Sequence, residues 1–171
     1  DIAITLYVHA GTLKNGITYL KVRSEYLEAW GLEKDDVLHE ALLNSYRILP
    51  PRIYDFKKMM YTPGYAGEDF LNMDPYFISD KKKKEGICLS VKGLSNGAVA
   101  VLYPGVIKKL VEFMDGGFYV VFSSVHEALI YSSKLCSLEE LENLLRTSNA
   151  RMTFQKEFLT DKVYYYCKEE D

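Results

Sequence analysis

Between Asn96 and Tyr131 the chain reads NGAVAVLYPGVIKKLVEFMDGGFYVVFSSVHEALIY, and no other stretch constrains the fold as tightly. Phe118–Phe122 and Ala128–Tyr131 are rich in β-branched and aromatic residues, which predicts two strands joined through the polar corner Ser123–Glu127. Ahead of them Ile107, Leu110, Val111 and Met114 recur at helical spacing, with Lys108, Lys109 and Glu112 on the opposite face. Pro104 suits the first position of that helix, where a missing N–H does no harm, and Asp115-Gly116-Gly117 suits its end. Asn96-Gly97 is a hairpin signal, so Ala98–Leu102 is expected to run back beside a strand at Ile87–Val91. The rival reading is one kinked helix from Ala98 to Met114.

The remaining segments can be placed around that unit. Ile2–Val8 and Ile17–Val22 read as an antiparallel pair turned at Asn15-Gly16. Ser24 is a candidate N-cap for a short helix through Tyr26, Leu27 and Trp30 that stops at Gly31. A longer helix follows from Lys34 to Ile48, with Val37, Leu38, Ala41, Leu42 and Ser45 along one face, until Pro50-Pro51 ends it. Ser137 and Glu140 form a capping box ahead of a helix over Leu138–Thr147. Phe154 fits a short edge piece, and Val163–Cys167 reads as a closing strand. The expected fold is α+β: one domain over 1–171, a mostly antiparallel sheet built from hairpins, with helices packed on it.

From Pro51 to Gly86 the periodicity fades, and this reads as a long irregular insert. Asp55–Met60 can make one or two helical turns, while Pro63-Gly64, Gly67 and Asp74-Pro75 are turn chemistry. Lys81–Lys84 is expected at a solvated loop tip. The aromatic residues of the insert argue for order by packing. Tyr61, Tyr65, Phe70 and Tyr76 are the candidate binding residues.

Composition excludes several functions. A net charge of −3 gives no general pull on nucleic acid, which is not an expected partner. Cys88, Cys136 and Cys167 are odd in number and widely spaced, which fits free thiols in a reducing cytoplasm better than a disulfide framework or a zinc site. His9, His39 and His126 lie far apart with no H-E-x-x-H pattern, and Gly93, Gly97 and Gly105 lack phosphate-loop spacing. No cofactor or metal is therefore expected. No apolar run approaches a membrane span, and no membrane partner is expected.

Ser123-Ser124-Val125-His126-Glu127 is the one place where a nucleophile, a base and a carboxylate come together in sequence. Ser124 and His126 are two apart and share a side if the segment is extended, so the histidine could activate the hydroxyl. Adjacent Glu127 would then point away from the imidazole it should orient. The structural alternative has the serines bonding the turn backbone and His126 bonding a main-chain carbonyl.

The combination of Asn96-Gly97-Ala98, Leu102–Gly105, a Lys-rich helix, and Ser123, Ser124, His126 and Glu127 between two strands resembles an uncharacterised bacterial family of clostridial gut anaerobes. Leu159, Thr160, Asp161, Val163, Tyr164 and Tyr166, and the earlier Leu27–Gly31 and Leu49–Pro51, are similar to it as well. Phe122 stands where that family has a proline. The resemblance implies an α+β fold and the C-terminal part of a longer chain, and it carries no established activity. The leading expectation is a non-enzymatic module that binds an unknown protein partner in the cytoplasm. The alternatives are a hydrolase-like enzyme using Ser124, His126 and Glu127, and a mobile-element or phage-linked inhibitor of a host defence system.

Overall fold

Short β-rich runs build a sheet whose central strands are covered on both faces. The computed structural model describes residues 2–13, 16–151 and 156–167. In chain order the strands are β1 (Tyr7–Leu13), β2 (Gly16–Lys21), β3 (Pro51–Tyr54), β4 (Glu68–Asp69), β5 (Ile87–Val91), β6 (Phe118–Val121), β7 (Ala128–Ser132) and β8 (Val163–Tyr166). The helices are α1 (Ser24–Trp30), α2 (Lys34–Ile48), α3 (Phe56–Tyr61), α4 (Asp80–Glu85), α5 (Val106–Met114) and α6 (Leu138–Arg151). β1 and β2 form a two-stranded sheet, and the other strands form a six-stranded sheet in the order β4-β3-β5-β7-β6-β8. Every pairing is antiparallel, so the fold is α+β.

Register divides the large sheet into two dissimilar faces. Pairs such as Ile53↔Leu89, Leu89↔Ala128 and Val120↔Ile130 put Ile53, Ile87, Leu89, Val91, Ala128, Ile130, Phe118 and Val120 on one side. There they pack with Val106, Leu110, Phe113 and Met114 of α5, and with Phe70 and Ile78, in the main core. On the other side Tyr131 and Val121 pack against Leu141 and Leu145 of α6. All five residues of β5 are buried, as a central strand covered on both faces must be. α6 begins as its sequence predicts: Ser137 Oγ accepts the Glu140 N–H at 3.3 Å and Glu140 Oε2 accepts the Ser137 N–H at 3.1 Å.

Several expectations are corrected. The irregular insert is largely regular, because Pro51–Tyr54 enters the sheet as β3 between β4 and β5. Proline is tolerated there as the first strand residue. Lys81–Lys84 lie on α4, whose N-cap Ser79 accepts the Lys82 N–H at 3.4 Å, and Lys82 Nζ pairs with Asp55 at 2.8 Å. That lysine bond and the amides of α3 hold the Asp55 carboxyl down at about 2. Asn96-Gly97 makes no hairpin. Asn96 is left-handed at φ 53°, but Gly97 is not, and the two-residue hairpin needs both. The chain instead winds into a 3-10 turn over Gly97–Leu102, packed on β5.

α5 then starts at Val106, because Gly105 at φ 80° interrupts the helical path after Pro104. β1 begins at Tyr7 rather than Ile2. Ser24 is the first residue of α1, with Arg23 at the N-cap position and no side-chain cap. Gly31 does end α1 in the left-handed region, at φ 63°. Asn15, at the predicted turn, and Phe154 lie outside the described residues.

Candidate functional site

The corner between β6 and β7 sits at one end of the large sheet, where three separate segments meet. Residues 123–127 are bent, not extended, and the bend decides the chemistry. Ser124 Oγ accepts the His126 backbone N–H at 3.0 Å, a hydroxyl closing its own turn. The same bend swings Glu127 back over the serines: Ser123 Oγ donates to Glu127 Oε1 at 2.6 Å and Ser124 Oγ donates to the same oxygen at 3.0 Å. Glu127 therefore engages the two serines, and among the described residues no hydrogen bond joins it to the His126 ring, which it was expected to point away from. The shared side expected for Ser124 and His126 assumed extended backbone, and the bend removes it.

His126 is turned to other partners. Its Nδ1 accepts the Asn96 backbone N–H at 3.1 Å, and its Nε2 stands 3.8 Å from Glu157 Oε1. An Nδ1 that accepts must be unprotonated, so a neutral ring carries its proton on Nε2, toward the carboxylate. Among the described residues no side-chain hydrogen bond joins Ser124 to His126, and the nucleophile–base pair of a Ser–His catalyst is not formed. The expected bond from His126 to a main-chain carbonyl is also corrected, since the ring accepts from an amide.

The backbone completes the joint. Ser90 Oγ donates to the His126 carbonyl at 2.6 Å, Ala98 N–H donates to the Val125 carbonyl at 3.2 Å, and Val125 N–H donates to the Glu157 carbonyl at 3.0 Å. Ser124 is 8% exposed and Ser90 fully buried, so the serine bonds of the joint are partly shielded from water. Sequence reasoning missed Ser90 and Glu157, which lie 36 and 31 positions from His126 (126 − 90, 157 − 126) and carry no local signal, and it read Asn96, 30 positions away (126 − 96), as a hairpin turn instead of a partner of His126. Near this joint Cys88 is buried, and burial together with the Glu127 charge pushes its thiol up to about 12, so it is not a reactive nucleophile.

His126→Ala is expected to cost about 0.5–1.5 kcal/mol, the net worth of one hydrogen bond to an exposed amide. His126→Asn, whose side-chain oxygen can take the Nδ1 position, should recover most of that loss. Thermal unfolding of the two variants checks this, and equal loss in both would show that the Nδ1 acceptor is not what matters.

The four candidate binding residues separate. Tyr61 and Tyr76 stand in solvent, at 78% and 97% exposed. Tyr65 is half-buried, its ring edge-on to Tyr54 at 6.0 Å, beneath Lys58 Nζ at 5.5 Å, with its hydroxyl accepting the Asp55 N–H at 3.3 Å. Phe70 is corrected outright: it is 0% exposed and packs on Phe113 at 5.3 Å between ring centroids. Phe56, Met60 and Phe77 were not singled out, yet all three are more than half exposed. Glu68 connects the two exposed groups. It pairs with Lys58 of α3 at 2.9 Å and lines, with Asp69, Asn72, Met73, Asp74 and Phe77, an open groove of about 290 Å³.

Among the described residues no cluster of three or more His, Cys, Asp or Glu side chains could hold a metal ion, and no helix is long and apolar enough to cross a membrane. The three cysteines are free. No curated protein and no solved structure matches the chain. The sequence itself, over residues 1–168, matches and so belongs to a family of unknown function (DUF5688).

Proposed function

We propose that the chain is a non-enzymatic protein-interaction module of a bacterial cytoplasm, and that the exposed aromatic rim of α3 and the 75–77 turn contacts its partner. One observation carries the reading. Phe56, Met60, Tyr61, Tyr76 and Phe77 are 52%, 70%, 78%, 97% and 74% exposed within 22 residues (77 − 56 + 1), while Phe70 in the same stretch is fully buried. Large apolar side chains held in water at this density mark interaction surfaces, and tyrosine supplies contact area at low entropic cost. Tyr65 and Phe70 support the rim from below, Tyr65 through Lys58 and Asp55 and Phe70 through the core.

The test is partner capture from bacterial cytoplasm by the chain and by the Tyr61→Ser/Tyr76→Ser variant. Surface changes of this kind should shift stability by no more than about 0.5 kcal/mol. Loss of capture, by about tenfold or more in affinity, is expected, because exposed tyrosines of this type act as binding hot spots. Undiminished capture by the double variant would move the surface elsewhere. Turnover of an ester, phosphate or peptide substrate that disappears in Ser124→Ala would replace the binding reading with the hydrolase one.

A further inference from the structure

Side chains described on both faces of the N-terminal hairpin are exposed. Val8 and Leu20 are cross-strand partners and are 44% and 49% exposed. Tyr7 and Tyr19, on the opposite face, are 59% and 58% exposed. Among the described residues the hairpin is a separate two-stranded sheet and pairs with no strand of the large one. A hairpin of that kind is marginal in water and needs a third layer against its apolar face. The helices that follow are also uncovered at their junction, where Trp30 is 52% and Leu32 49% exposed. Within one chain, then, hairpin and helix junction do not cover each other.

Charge separates the same two elements. Residues 2–23 contain no carboxylate, and Lys21 and Arg23 are exposed at the end of the hairpin. Around the helix junction Glu25, Glu28, Glu33, Asp35, Asp36 and Glu40 are all exposed, and Lys34 is the one lysine or arginine between residues 24 and 46. One surface is apolar and basic, the other apolar and acidic, and every copy of the chain carries both.

We infer that the α1–α2 junction receives the β1–β2 hairpin of a second copy of this chain. A two-fold axis then places each hairpin on the other copy's helices, so both unpartnered surfaces are covered by one isologous contact. Tyr7 and Tyr19, on the same face of the hairpin as Lys21, lie toward Trp30 and Leu32, and Lys21 and Arg23 lie toward Asp35 and Asp36. The opposite charges set register and orientation, while the apolar side chains supply the burial. The inference is independent of the aromatic rim at 56–77.

Sedimentation velocity of the chain across the micromolar range tests it. The wild type is expected to dimerise reversibly and more weakly as salt is raised. Lys21→Glu/Arg23→Glu and Asp35→Lys/Asp36→Lys should each sediment as monomers while keeping the wild-type melting temperature. Mixing the two variants should restore a dimer, because each reversed hairpin then meets a reversed junction. Tyr19→Ser should also weaken the dimer without changing charge. A wild type that remains monomeric throughout would overturn the inference. So would a dimer that tolerates Asp35→Lys/Asp36→Lys, which would point to strand-to-strand pairing of hairpins, or variants that fail to associate on mixing.

Discussion

Replacing Phe70 with alanine is expected to lower the unfolding free energy by about 3–5 kcal/mol, the range for deleting a fully buried phenylalanine. In a chain of 171 residues that corresponds to a fall of roughly 6–20 °C in melting temperature. The side chain is 0% exposed and lies 5.3 Å from Phe113, which is itself fully buried on α5. Its backbone cannot move far to fill the void: the Phe70 N–H donates to the Pro51 carbonyl at 3.4 Å at the end of the β3–β4 pairing. Collapse is therefore restricted, and the cavity penalty adds to the lost transfer free energy. Tyr76→Ala, six residues on and almost wholly exposed, should change stability by less than about 0.5 kcal/mol. Urea unfolding of the pair reads the difference directly. A cost below about 1 kcal/mol at Phe70 would mean the site collapses freely, and the packing described for the 70–78 segment would be wrong.

Phe70 and Tyr76 also show where sequence reasoning reached its limit. Both are aromatic residues in a stretch without periodicity, and nothing local separates a core anchor from a surface contact. The distinction comes from β3, a strand of four residues whose first is proline, too short to show alternation. Once β3 pairs with β5, the chain that follows must pass over the α5 side of the sheet, and Phe70 falls into the core. Long periodic elements were legible for the converse reason. α2 runs over the predicted Lys34–Ile48, and the capping box of α6 forms as its residues require.

The corner was legible as a place and not as a mechanism. Ser123 to Glu127 could be picked out by residue type. What each side chain does depends on a backbone bend and on Ser90, Asn96 and Glu157, which arrive from two other parts of the chain. The resembling motif residues divide in the same way. Thr160, which is buried, accepts the Lys162 N–H at 3.1 Å and offers its carbonyl to Asn149 Nδ2 at 3.1 Å, tying α6 to the start of β8. Such residues hold elements together.

Gly97→Ala is expected to cost about 3 kcal/mol or more, combining overpacking with the loss of a buried hydrogen bond. A Cβ at this position would lie 2.7 Å from both the His126 carbonyl oxygen and the Val91 nitrogen, and would overlap Ser90 Oγ. Two of these three atoms are backbone, one on β5 and one in the corner, and neither can rotate away. The third is the donor of the Ser90–His126 bond, so relief at Ser90 breaks that bond and leaves a buried carbonyl short of its partner. Gly93→Ala provides the contrast. Its Cβ meets nothing within 4 Å, and only its φ of 91° opposes a side chain, so a cost of about 1–2 kcal/mol is expected. Gly97→Ala combined with Ser90→Ala should recover part of the loss and no more, because the two backbone contacts remain. Chemical denaturation of the three proteins decides the matter. A Gly97 variant as stable as the Gly93 variant would show that the corner does not press on β5, and the case for a structural joint at His126 would fall with it.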